Sequence, residues 1–270
     1  MNLDVIAGLA LVALLTLVLL ALWRLVRGPA RQPARRGVRL AASLLIAVAL
    51  VGMGAYRLMN ARSVQLLGHQ VASVQISEKV VALTFDDGPS DKYVDAVLAD
   101  LAGFRARGTF FVIGSVAREN SMALRKLVAA GEEIGNHSYT HPRLVFVSTG
   151  AVAREVESTD RVIRSAGYRG PILFRPPFAK RLVSAPYYLW RHGRTTVMWN
   201  LEPDSIGGVA DSPETMADYV TRNVRPGSIV LFHVWHDGRS TSREALLPIL
   251  RRLSARGYRF VTVSQLRARS

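Results

Sequence analysis

Four short polar clusters hold the residues of this chain that are equipped for hydrolytic or metal chemistry. The first, Thr84-Phe85-Asp86-Asp87-Gly88-Pro89, closes an apolar run. Two adjacent carboxylates repel one another and are costly to bury without a cation, and Gly-Pro turns the chain at once. Alone, the same residues also read as a turn with solvated aspartates. The second cluster, His137-Ser138-Tyr139-Thr140-His141, spaces its imidazoles four apart, which on one helical face would let them grip a single ion. The third is Arg175-Pro176-Pro177-Phe178, where a buried Arg would pair with a carboxylate and the prolines stiffen the loop. The fourth is Leu231-Phe232-His233, with Trp235, His236 and Asp237 just beyond. A His near a metal serves as a general acid if a carboxylate keeps it protonated, and Glu202 and Asp204 are the candidates. His236 and Asp237 are expected in a solvated loop.

One Asp with two His makes a two-His-one-carboxylate set. Three protein ligands leave coordination positions open for water and substrate, which marks a catalytic rather than a structural site. Adjacent Asp side chains at a strand end point apart, so one is free to ligate while the other handles a proton. The chain has no cysteine. Disulfides, thiolate catalysis and Cys-based zinc sites are therefore excluded, and any metal rests on His, Asp and Glu.

The elements that must position these clusters read as repeated βα units. Candidate strands are Val80–Phe85, Thr109–Ile113, Glu133–Asn136, Ile172–Arg175, Thr196–Trp199, Ser228–Phe232 and Arg259–Val263. Ser212-Pro213-Glu214 reads as N-cap, first-position proline and first-turn acid. Thr241 and Glu244 have capping-box spacing, and Gly131, Gly167 and Gly257 follow helix patterns. Strands alternating with helices imply an α/β fold with a parallel sheet; periodicity does not separate a barrel from an open sheet. The polar clusters fall at C-terminal strand ends, where both architectures place their sites.

From Lys79 to Leu266 the chain resembles the polysaccharide deacetylases of the NodB-homology type, the fourth carbohydrate esterase family. TFDDGP, HSYTH, RPPF and LFH match that family's first, second, third and fifth motifs, in order. The resemblance implies a distorted (β/α) barrel of about seven parallel strands holding one divalent ion, zinc first, with cobalt or nickel as alternatives. It implies Asp86 as general base, Asp87, His137 and His141 as ligands, Arg175 as the partner of Asp86, and His233 as general acid. The Phe178 N–H would help bind the oxyanion, and Trp199 and Leu231 would line the acetyl pocket. The fourth motif departs from the pattern: Glu202 stands where its first acid would be, Ser205 at the second, Ile206 where a Trp is usual, and Asp204 is one place off. The implied activity is hydrolysis of N-acetyl groups from an amino-sugar polymer of the cell envelope. A lipid-linked sugar or an O-acetylated polysaccharide is an alternative substrate, and a tethered carbohydrate-binding pseudoenzyme an alternative role.

Residues 1–62 differ sharply from residues 63–270, the expected deacetylase domain. Val5–Trp23 and Leu40–Tyr56 are uncharged apolar stretches, each about long enough to cross a hydrocarbon core of roughly 30 Å. Arg24, Arg27, Arg31, Arg35, Arg36 and Arg39 lie between them with no acidic residue. The positive-inside rule then puts this linker in the cytoplasm and the domain outside, on a two-span membrane anchor. A signal peptide or a cleaved second segment is the alternative, and either still exports the domain. The net charge of +15 suits an anionic envelope. Nucleic acid is not an expected partner, because no basic stretch is interleaved with stacking aromatics.

Overall fold

The computed structural model describes Leu20 and residues 33–269, and the chain divides into two units, Met1–Val64 and Gln65–Ser270. In the first unit α1 spans Pro33–Asn60. Proline opens a helix at no cost, because the first N–H has no intrahelical partner. The part Ala41–Asn60 is apolar, 20 residues long and long enough to cross a membrane, and Leu44, Leu45, Val48 and Val51 on it are exposed. The helix starts inside the segment expected as a linker and takes in Arg35, Arg36 and Arg39. Arg is a strong helix former, and the lone Gly37 costs only about 1 kcal/mol. The expected span Val5–Trp23 lies outside the described residues apart from Leu20.

The second unit runs β1 (Gln70–Val71), β2 (Val80–Gly88), α2 (Val94–Gly103), β3 (Gly108–Val112), α3 (Gly114–Glu119), α4 (Ser121–Ala129), β4 (Glu133–Asn136), α5 (Thr149–Ser165), α6 (Ser184–Arg191), β5 (Thr196–Val197), α7 (Pro213–Asn223), β6 (Ile229–His233), α8 (Ser240–Ala255), β7 (Arg259–Phe260) and α9 (Val263–Arg267). Every ladder is parallel: β4-β3-β2-β6 form one sheet with β7 also on β2, and β1 pairs β5. Single parallel bridges, Asn136 to Phe174 and Phe174 to Thr196, join β4 to β5, and Leu201, beyond β5, bridges to Val230 of β6.

β2 is the central strand and is buried along almost its whole length, as a parallel strand covered on both faces must be. Phe85 stacks on Phe110 and Phe232 with centroids 4.7 and 6.1 Å away, and Trp235 lies 5.9 Å from Phe110. This aromatic layer anchors the strand end that carries the two aspartates. Each such ring contributes roughly 1.5–3 kcal/mol by burial alone.

Several expectations are corrected. Ile172–Arg175 is no strand; only Phe174 bridges its neighbours, because Pro171, Pro176 and Pro177 strip donors from both ends. β1 was not expected, its two residues being too short to show a period. β5 and β7 are shorter than expected. The last expected strand stops early because Thr262 caps α9, accepting from the Gln265 N–H. The Thr241–Glu244 capping box does not form: a 3₁₀ turn at Asp237–Arg239 leads straight into α8, so Thr241 is already inside the helix. Ser212 does cap α7 with Pro213 following. Gly131, Gly167 and Gly257 all adopt positive φ after their helices.

Candidate active site

Strand alternation on β2 sends Thr84 and Asp86 to one face and Phe85 to the other. Both polar side chains meet Arg175, which is fully buried. Its Nη1 donates to Asp86 Oδ1 at 2.7 Å and to Thr84 Oγ1 at 2.8 Å. Nε and Nη2 donate to the carbonyls of Val197 and Met198, both at 3.2 Å. The guanidinium also lies 4.1 Å from the Phe111 ring centroid and 5.2 Å from that of Trp199. Burial pulls the Arg175 pKa below its ordinary value, and Asp86 opposes that shift.

The strand does not stop at Phe85 but continues through both aspartates to Gly88, with a register shift between Asp86 and Gly88. Asp87 takes φ +70, a conformation costly for a residue with a Cβ. That turn separates the two carboxylates. Asp86 faces Arg175, while Asp87 Oδ1 lies 3.4 Å from His137 Nε2 and 3.2 Å from His141 Nε2. Gly88 is obligatory here: a Cβ would come within 2.2 Å of Trp235 Nε1.

His137 and His141 do not share a helical face. They lie in an irregular loop after β4 in which Ser138 and His141 both have positive φ. Side chains hold that loop instead. Asn136 Oδ1 accepts the Ser138 N–H at 2.8 Å, and Ser138 Oγ accepts the His141 N–H at 3.1 Å. From α5, Glu155 accepts the N–H groups of Tyr139 and Thr140 and the Thr140 hydroxyl, each at 2.8 Å. His137 Nδ1 lies 2.7 Å from the Arg175 carbonyl. A carbonyl only accepts, so Nδ1 is the donor there and Nε2 is the nitrogen turned toward Asp87.

One ligand atom from each of Asp87, His137 and His141 lies within 4.8 Å of the others. Asp87 Oδ1 is buried and makes no hydrogen bond, although both imidazole nitrogens are near. A buried carboxylate oxygen flanked by two nitrogens and bonded to neither is costly unless a cation completes the site. The donor set fits a divalent ion.

His233 ends β6 beside β2, where Asp86 and His233 are register partners. Its Nε2 is 3.8 Å from Asp87 Oδ2. On its other side, Asp204 Oδ2 accepts the His233 backbone N–H at 2.6 Å and stands 3.1 Å from Nδ1. Burial works against the charged imidazole, but the Asp204 hydrogen bond and charge, with the Asp86 and Asp87 charges, outweigh it and push its pKa up to about 9. Glu202 is not beside His233; it accepts from Trp199 Nε1 and the Ser205 hydroxyl, both at 2.8 Å. Of the two candidate acids, Asp204 is the one placed to support His233. Trp199 and Leu231 are both buried in one apolar cluster.

Phe178 has φ +55 and is 48% exposed, so its ring faces outward. Its N–H makes no hydrogen bond among the described residues. The ring packs 4.5 Å from the His141 ring and 4.5 Å from the Arg143 guanidinium. Asp237 is exposed, as expected, and pairs with Lys92 at 2.6 Å. Sequence reasoning missed Thr84, Asn136 and Glu155. Thr84 was findable, because it shares the alternation of Asp86; Glu155 was not, because its link to the loop is purely tertiary.

Comparison with known proteins gives the same picture. The polysaccharide deacetylase family model matches residues 73–197. A peptidoglycan-N-acetylglucosamine deacetylase of Bacillus cereus is 33% identical over 199 residues, covering 74% of this chain and 93% of the relative. A chitooligosaccharide deacetylase of Sinorhizobium fredii is 37% identical over 164 residues, covering 57% of this chain and 71% of that one. Among solved structures, the Bacillus subtilis peptidoglycan deacetylase PdaC superposes with a TM-score of 0.63 at 32% identity, covering 72% of this chain and 93% of that one. A carbohydrate esterase family 4 pseudoenzyme from Bacillus anthracis superposes at 0.66 with 26% identity, covering 74% and 69%. The chain belongs to the polysaccharide deacetylase family, and its α/β fold with a parallel sheet is the fold of that family.

Proposed function

We propose that the chain is a metal-dependent hydrolase that removes N-acetyl groups from an amino-sugar polymer of the cell envelope. One observation carries this reading: the ligand atoms of Asp87, His137 and His141 converge between the Asp86–Arg175 pair and the Asp204–His233 pair. Fold alone would not carry it, since a family pseudoenzyme shares the architecture. The single bridges between the two sheets support reading the domain, residues 63–270, as a distorted barrel of about seven strands.

Asp87, His137 and His141 would hold the ion, with zinc the first candidate for an N,N,O set. Bound there, a divalent cation supplies Lewis acidity toward an acyl carbonyl and lowers the pKa of water. Asp86, oriented by Arg175, takes the proton of the attacking water. The Phe178 N–H donates to the oxyanion of the tetrahedral intermediate. His233, protonated through Asp204, gives its proton to the nitrogen as the C–N bond breaks; the products are acetate and a free amine. Trp199 and Leu231 close the apolar side of the acetyl pocket. General acid or base action is typically worth roughly 10²–10⁴-fold. Asp86→Asn and His233→Ala should each lose activity on that scale while retaining metal, whereas His141→Ala should lose the metal. Acetate release measured beside elemental analysis tests this, and normal turnover by either of the first two variants would overturn the role assigned.

Residues 1–62 are proposed to anchor the domain in the cell membrane by two spans, with the catalytic domain outside. The apolar, exposed Ala41–Asn60 supports the second span, and the Arg-rich, acid-free segment before it supports the orientation.

A further inference from the structure

Arg143 stands apart from the other cations around the site. Lys92 is paired with Asp237. Arg243 donates to the Val234 and His236 carbonyls at 2.8 and 2.6 Å and lies over the Tyr93 ring. Arg239 donates to the Asp204 carbonyl at 3.2 Å. Each of these has at least one donor committed to the protein. Arg143 makes no hydrogen bond and no ion pair among the described residues; its contact is with the Phe178 ring, 4.5 Å from its Cζ. A guanidinium held against an aromatic ring, with none of its N–H groups bonded to the protein, keeps its donors available for bidentate contact with a carboxylate.

Its position gives that free edge a purpose. Phe178 packs against both His141 and Arg143, so the cation is one ring removed from a candidate metal ligand. Phe178 is half exposed and Arg143 exposed. A glycan whose N-acetyl group sits at Asp87, His137 and His141 must continue outward over some part of this rim. We propose that Arg143, held over the Phe178 ring, is a specificity-determining residue that binds a carboxylate borne by the sugar chain next to the reacting N-acetyl group, so that carboxylate-bearing N-acetylated glycans are favoured over neutral ones. This rests on the deacetylase reading of the same site, and it names the substrate class within it.

The test uses the purified full-length chain in detergent with Arg143→Gln and Arg143→Lys. Two glycans of equal length are compared: a neutral N-acetylglucosamine oligomer, and one in which alternate sugars carry a lactyl carboxylate. A third sample has those carboxylates capped as methyl amides. Dissociation constants by calorimetry and acetate release are read side by side. Arg143→Gln should weaken binding and raise KM for the acidic glycan by about ten-fold, leave kcat within a factor of two, and leave the neutral and capped glycans unchanged. Arg143→Lys should recover part of the loss, and the difference between glycans should shrink with added salt. An equal effect on all three glycans, or none on any, would overturn the assignment. Arg143-dependent binding of the acidic glycan without acetate release by the wild type would uphold it and instead sink the hydrolase reading.

Discussion

Single side chains decide where protons sit. His233 is held protonated by Asp204, whose carboxylate accepts both its backbone N–H and its Nδ1–H, with a pKa of about 9 against an ordinary 6.5. The proposed general acid works only while protonated, so activity should persist as pH rises and fall through about 9. Asp204→Asn removes the charge and should draw that alkaline limb down toward 6.5, cutting kcat/KM at pH 8 while sparing it near pH 6; an unshifted limb would assign the alkaline fall to another group. Arg175 makes a second case. It is fully buried with four donor contacts, and Arg175→Met leaves Asp86 buried without its cation. Removing one member of a buried pair costs about 3–5 kcal/mol, so thermal or urea unfolding should show a loss on that scale. That Asp87, His137 and His141 converge, with Asp86 against Arg175 and His233 close by, was legible from the chain because such side chains have few other uses at strand ends. The choice between Asp204 and Glu202 was not. Both lie in a Pro-containing 3₁₀ segment or just before it, and spacing says nothing about which carboxylate such a turn aims at β6.

At the scale of elements, the imidazole pair depends on a helix to which it does not belong. Spacing of four suggested a helical face, but the loop conformation puts Ser138 and His141 at positive φ, and Glu155 on α5 pins the backbone between the two imidazoles through three bonds of 2.8 Å. Glu155→Gln keeps the shape but replaces a charged acceptor of two backbone N–H groups with a neutral one. Supporting residues of this kind are typically worth 10–100-fold in metal affinity. Competition with a chelator, followed by elemental analysis, should show weakened retention on that scale with little change in the circular dichroism of the fold. Strong retention would mean that Asn136 and Ser138 suffice to hold the loop. The helices and the longer strands were readable from period and caps, as Ser212 shows. The segment Ile172–Arg175 was misread as a strand because its apolar run is real but the flanking prolines leave it only a one-residue bridge. β1 was invisible because two residues carry no period.

For the whole molecule, the unusual charge and hydropathy have one source of explanation in the proposed topology. An acid-free, Arg-rich segment followed by an apolar, exposed helix orients a chain with that segment inside, which delivers the basic domain to the anionic outer envelope where N-acetylated polymers lie. The absence of cysteine makes this directly measurable, because a single introduced thiol reports without background. Glu214 is exposed on the first turn of α7, away from the site residues in sequence, and Gln32 lies in the basic segment. In intact cells, Glu214→Cys should react with a membrane-impermeant maleimide and Gln32→Cys should not; after permeabilisation both should react. Labelling of Gln32→Cys in intact cells would reverse the orientation, and protection of Glu214→Cys would place the domain inside, out of reach of any envelope polymer.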